Sequence, residues 1–210
     1  MSITRPNAIR ASLLAVTVAL SLVFSTGGSA SEAEWKKSYQ LEANGKYAQA
    51  AAVIEALSIR GEAREFALIR LAWLSYLQAN YNDSIRYYRT ALEINPHSVS
   101  ARVGITSPLL AQQRWREAAL FAKQILEVSP WHYDAHVRLM IAEEGMRKWN
   151  TLAKHALAVN VRYPDDASVL VYLARAYAWL GNTARAKAAY ERILRRIPGH
   201  IEATRYMRNN

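Results

Sequence analysis

The sequence contains no cysteine. Disulfides, thiolate zinc sites, iron–sulfur clusters and cysteine nucleophiles are excluded, as is the thiol that anchors a bacterial lipoprotein. It also lacks a glycine-rich phosphate loop, a nucleophile elbow and a paired-carboxylate pocket, so neither an enzyme nor a cofactor is expected. No dense basic run with interleaved aromatics occurs, and no groove-reading motif, which argues against a nucleic-acid binder. Residues 1–30 carry no acidic side chain, and no apolar run reaches the ~20 residues that a spanning helix needs.

The start of the chain reads as an address. Arg5 and Arg10 give it a positive charge, Ala11 to Phe24 is an apolar run, and Gly28 and Ala30 stand where an A-x-A-like cleavage site would. That order is a secretory signal of the general export type, since the arginines are not adjacent. The expected location is the periplasm, with an uncleaved inner-membrane anchor facing that space as the alternative. The formal net charge is +10, and removal of residues 1–30 leaves a formal +8. Such an excess favours acidic partners or anionic headgroups.

Repeats dominate the remainder. Pro96, Pro130, Pro164 and Pro198 recur at one constant interval, in a chain with only six prolines. At that period the chain divides into frames 31–64, 65–98, 99–132, 133–166 and 167–200, with a remnant 201–210. One column holds Tyr47, Tyr81, Trp115, Trp149 and Thr183. A mostly small column follows, Ala50, Ser84, Ala118, Leu152 and Ala186, then Ile54, Tyr88, Ala122, Ala156 and Tyr190, then Leu57, Ala91, Ile125, Val159 and Ile193. Gly45 and Gly181 share a column with Ala79, Gln113 and Arg147. Each frame carries two stretches with helical apolar spacing around a short turn. Prolines close the second helix in the four frames from 65 onward.

The segments LIRLAWLSYLQANYNDSIRYYRTALEINP and VLVYLARAYAWLGNTARAKAAYERILRRIP, ending at Pro96 and Pro198, carry a resemblance to the tetratricopeptide repeat family. It covers residues 31–210. The resemblance implies an all-α, right-handed superhelical solenoid of about five 34-residue helix-turn-helix repeats, with residues 201–210 as a C-terminal capping helix. Some departures stand out. Glu34, Lys37 and Ser38 occupy apolar columns, predicting a weak or shifted first helix. Pro108 predicts a kinked or shortened helix in the third frame. Glu143 falls in a buried column.

In the family, the first helices of successive repeats line a concave groove. The positions selected here are Trp35, Tyr39, Phe66, Ile69, Arg70, Trp73, Tyr76, Arg138, Ile141, Tyr172, Arg175 and Trp179, around a smooth centre at Ser100, Gly104 and Ser107. Aromatics and arginines are the usual anchors of protein recognition. The columns that clamp a partner's C-terminal carboxylate in some members hold Trp35, Tyr39, Arg70, Ser100 and Gly104, with Arg70 as the single cation. A second surface is basic: Arg185, Lys187, Arg192, Arg195, Arg196, Arg205 and Arg208. His132 and His136 are four apart, but no glutamate directly follows the first, so no metal site is expected.

The expected function is a periplasmic adaptor or scaffold that binds a peptide or protein segment in its groove. It would belong to an envelope assembly, such as secretion, surface-polymer export or complex maturation. The alternatives are a self-assembling structural scaffold and an inner-membrane-anchored repeat protein. The partner would be a protein or peptide, with an acidic one favoured, or a second copy. Membrane contact is expected only through an uncleaved N-terminus or the basic C-terminal face.

Overall fold

A computed structural model describes residues 27–59 and 61–210, with side chains from Glu32 onward. The leader sequence expected over residues 1–30 lies outside the described residues, apart from the last few, which open the first helix. Among the described residues no helix is long and apolar enough to cross a membrane.

Eleven α-helices follow one another among the described residues: α1 (Gly27–Ala43), α2 (Tyr47–Ile54), α3 (Arg64–Leu77), α4 (Tyr81–Ile94), α5 (Val99–Ala111), α6 (Trp115–Val128), α7 (Tyr133–Gly145), α8 (Trp149–Arg162), α9 (Ala167–Trp179), α10 (Thr183–Arg196) and α11 (Ile201–Asn209). They form five antiparallel pairs, and α11 closes the stack. Odd-numbered helices touch across repeats (α3 with α5, α5 with α7, α7 with α9), whereas the even-numbered helices make no comparable contact with one another. Elements on the inside of a curve approach and those outside splay, so the odd-numbered helices form the concave face of the solenoid.

The period acts through three kinds of joint. Where the first helix of a pair ends, Gly45, Ala79, Gln113, Arg147 and Gly181 take φ between +56° and +73°. The next residue then donates its N–H five residues back, as in Lys46 to Leu41 O at 2.9 Å and Asn182 to Tyr177 O at 2.9 Å. That is the Schellman closure of a helix, which glycine enters most easily. Where the second helix ends, Asn95, Ser129, Tyr163 and Ile197 leave the helical region, with φ from −125° to −139°. A following proline imposes that backbone. Where the next pair begins, Ser98, His132, Asp166 and His200 recur at the same period as the prolines, and each accepts an N–H from three residues on.

The columns read from the sequence are the core. Ala50, Ser84, Ala118, Leu152 and Ala186 are fully buried, and so are Ile54, Ala122, Ala156, Ala91, Ile125, Val159 and Ile193. Two local expectations are corrected. The first helix of the first pair is neither weak nor shifted: α1 ends in phase at Ala43, and buried Ser38 donates to the Ala50 carbonyl at 3.0 Å. The departure lies instead in its partner, since α2 has 8 residues where α4 has 14 and passes into a 3-10 turn at Glu55–Ser58. No proline closes this unit. Of the kinked or shortened helix expected at Pro108, the shortening does not occur: α5 spans 13 residues, as do α7 and α9. The small Gly104 stands at the position whose carbonyl loses the proline's hydrogen bond, and it lets the Tyr88 ring lie against the backbone.

Candidate partner-binding surface

The concave face divides into three stretches. At its N-terminal end α1 and α3 build a self-contained aromatic cluster. Trp35 meets Phe66 edge-on at 4.9 Å, and Trp73 stacks on Tyr76 at 5.5 Å. The Arg70 guanidinium lies 3.7 Å from the centre of the Tyr39 ring. Glu42 ties the cluster together, pairing with Arg70 at 2.5 Å and accepting the Trp73 indole N–H at 2.6 Å. Arg70 is only 6 % exposed, with its Nε and remaining Nη unpartnered. Of this set Tyr39, Phe66 and Trp73 face solvent, whereas Ile69 is half-buried against the α3–α6 core.

The middle stretch is smooth. Ser100, Val103, Gly104 and Ser107 of α5 floor a cleft of about 340 Å³, walled by Trp73 on one side and by Asp134 and Arg138 of α7 on the other. Arg138 makes no hydrogen bond or ion pair among the described residues. Small side chains keep the floor low between Trp73 and Arg138. Ile141, one turn further along α7, packs against the core instead of facing the cleft.

At the C-terminal end α7, α9 and α11 enclose a larger hollow of about 780 Å³, lined by Arg175, Trp179, Tyr190, Ile201 and Arg205 among others. Arg175 is engaged here. It donates to Glu202 at 2.6 Å and to Glu144 at 3.3 Å, and these hydrogen bonds and charges raise its pKa against the cost of burial. Tyr190 also donates to Glu202, at 2.8 Å. Trp179 stacks flat on Trp149, with ring centres 5.0 Å apart and 4° between planes, while staying 65 % exposed. Tyr172 is half-buried against the α7–α9 core.

The basic residues differ in how far their own chain engages them. Arg192 and Arg196 lean onto the preceding inter-repeat turn, donating to the Pro164 carbonyl at 3.0 and 3.3 Å, with Arg196 paired to Asp165. Arg185 lies beside the Tyr177 ring at 5.6 Å, and Lys187 is half-buried. Arg195, Arg205 and Arg208 are exposed. Sequence reasoning missed the carboxylates that hold the groove cations, Glu42, Glu144 and Glu202. Each reaches its arginine from a neighbouring repeat or from the cap; Glu42 and Glu144 share a column of the frame, but Tyr76, Leu110 and Ala178 fill it elsewhere, so the pattern does not mark it as acidic.

Residues 65–98 and 168–200 each match a family model described as tetratricopeptide repeat. A tetratricopeptide repeat protein from Parabacteroides merdae is similar in fold, with a TM-score of 0.77 at 13 % identity over 85 % of this chain and 71 % of that one. YrrB, described as a TPR protein with an unusual peptide-binding site, superposes with a TM-score of 0.71 at 12 % identity, over 83 % of this chain and 90 % of its own. MamA from Desulfovibrio magneticus, from residue 41 to its end, gives 0.68 at 12 % identity, over 87 % of this chain and 98 % of that one. No curated protein matches the sequence. With two matched units, helix pairs in unbroken phase and this likeness of fold, the chain is a tetratricopeptide repeat protein.

Proposed function

We propose that this protein-interaction scaffold holds an extended or helical segment of a partner protein across its concave face, with the middle cleft as the anchor point. The observation that carries the reading is Arg138, a cation without a partner among the described residues, standing with Trp73 over a floor of small residues. Arginine donates to backbone carbonyls and carboxylates, and an indole beside it supplies apolar area at little entropic cost. Arg70 and Arg175, by contrast, already hold carboxylates of their own chain. Their role is to stiffen the two ends of the face.

The proposed setting is an envelope assembly outside the cytoplasm. Supporting this is the three-part leader pattern of residues 1–30. A further support is that removal of those residues would leave positions 31–43 in the first helix, the same frame positions as α5, α7 and α9. N-terminal sequencing of protein recovered from the periplasm should begin near Ser31, and a chain found only in the cytoplasm with Met1 intact would defeat the export reading. For the cleft, Arg138→Ala and Trp73→Ala should each weaken capture of the partner that the wild-type protein retains from envelope extract by tenfold or more. The helical circular dichroism should not change. Undiminished capture by both variants would overturn the groove reading.

A further inference from the structure

Between α7 and α8 lies a row of buried and partly buried polar groups outside the proposed partner cleft. Glu143 Oε2 is 2.9 Å from His155 Nδ1, His155 Nε2 is 2.9 Å from His136 Nδ1, and His136 Nε2 is 2.9 Å from the Pro130 carbonyl oxygen. Glu143 is 5 % exposed, His136 8 % and the His155 side chain 14 %. The row thus begins at a carboxylate and ends at a carbonyl, which are acceptors, with two imidazoles between them.

Counting protons decides what it holds. Three hydrogen bonds need three protons, one in each link. Two neutral imidazoles supply two, and an ionised carboxylate and a carbonyl supply none. With only two protons, one link would set two lone pairs against each other at hydrogen-bond distance, away from water, which is costly in a medium of low polarity. We infer that Glu143, His155 and His136 form a buried proton-binding chain, which in the folded protein retains one proton more than the two neutral imidazoles would carry. That proton sits in the Glu143–His155 link, where the carboxylate charge balances it. His155 Nε2–H then donates to His136, and His136 Nε2–H donates to Pro130.

The surroundings fit. The titratable groups acting on His136 are His132, which caps α7, Glu143 of α7 and His155 of α8. The α6–α7 turn brings the Pro130 carbonyl and the Trp131 ring, centred 5.8 Å from the imidazole. Among the described residues, no side chain of α6 or α9 pairs with any of the three. Burial holds His136 below the usual imidazole range, with the neighbouring His155 and His132 adding to the effect and Pro130 and Glu143 opposing it. That ring is the one the chain needs neutral.

The consequence is a maximum in stability. Unfolded imidazoles titrate near pH 6.5. Below that pH the unfolded groups bind more protons than the chain does, so stability rises with pH; above it they bind fewer, so stability falls. Glu143→Gln separates this from ordinary packing, because the amide N–H can fill the first link and leave both imidazoles neutral. Urea unfolding of the full chain from pH 5 to 9 should show the wild-type unfolding constant rising above pH 7 relative to that of Glu143→Gln, approaching tenfold per pH unit. Parallel profiles for the two proteins over pH 7–9 would overturn the proposal. Should the variant fail to fold, NMR of ring nitrogens and side-chain carboxyls in the wild-type protein at pH 7 gives the same decision. Both Nε2 atoms and the Glu143–His155 link should carry protons. A bare Nε2 on either ring, or an unprotonated His155 Nδ1 opposite an ionised carboxylate, would refute it.

Discussion

At the scale of single residues, the side chains that fill the core follow the 34-residue columns, because a stacked helix pair can bury only what faces its neighbours. The polar exceptions were visible as exceptions, but their solutions were not. Ser38 and Glu143 stand in columns meant for apolar groups, and each is satisfied by a partner on the facing helix, 12 residues away. A periodic reading has no means of pairing such residues. The same holds for the groove: Trp73, Arg138 and Trp179 line its hollows, while Ile69, Ile141 and Tyr172 turn inward to pack. Gly104 shows how local geometry fixes a residue. A Cβ there would run into the ring and hydroxyl of Tyr88, itself buried. Gly104→Ala should therefore destabilise the protein by about 1–3 kcal/mol, the usual range for overpacking. Chemical denaturation measures this directly, and a neutral substitution would mean that the ring swings aside freely.

At the scale of helices, boundaries were more legible than shape. Prolines marked the ends of α4, α6, α8 and α10, and the turn column marked the closure of every first helix, including three positions where a non-glycine residue takes positive φ. Length was less predictable. Pro108 does not shorten α5, since it lies buried within a helix held on both sides, whereas α2 gives way to a 3-10 turn after 8 residues with no proline to mark the point. The capping helix α11 depends on charge as well as on Ala203. Burial disfavours the Glu202 carboxylate, but hydrogen bonds from Arg175 and Tyr190 outweigh this and hold its pKa below the ordinary value. A depressed pKa contributes stability above the unfolded value near 4.3 that is lost as pH falls through the folded one. Acid titration below about pH 4 should thus loosen α11 before the central pairs, seen as early loss of amide protection across 201–209. Simultaneous loss of protection along the whole chain would contradict this.

At the scale of the whole molecule, each pair leans only on its neighbours, so stability is distributed along the stack. The first unit has the smallest share: α2 is short, Leu57 is only half-buried, and Ile59 is 68 % exposed. Hydrogen exchange at neutral pH should find the α2 amides exchanging faster than those of α6 and α8, by tenfold or more. Equal protection would mean that the array unfolds as one cooperative block. The turn, proline and cap joints have a further consequence. Because the same three recur at every junction from α4 onward, a whole repeat-length stave could be spliced in or out at Val99, Tyr133 or Ala167 without inventing a new seam. The span offered to a partner is thereby a countable quantity, adjustable in whole steps like the rungs of a ladder.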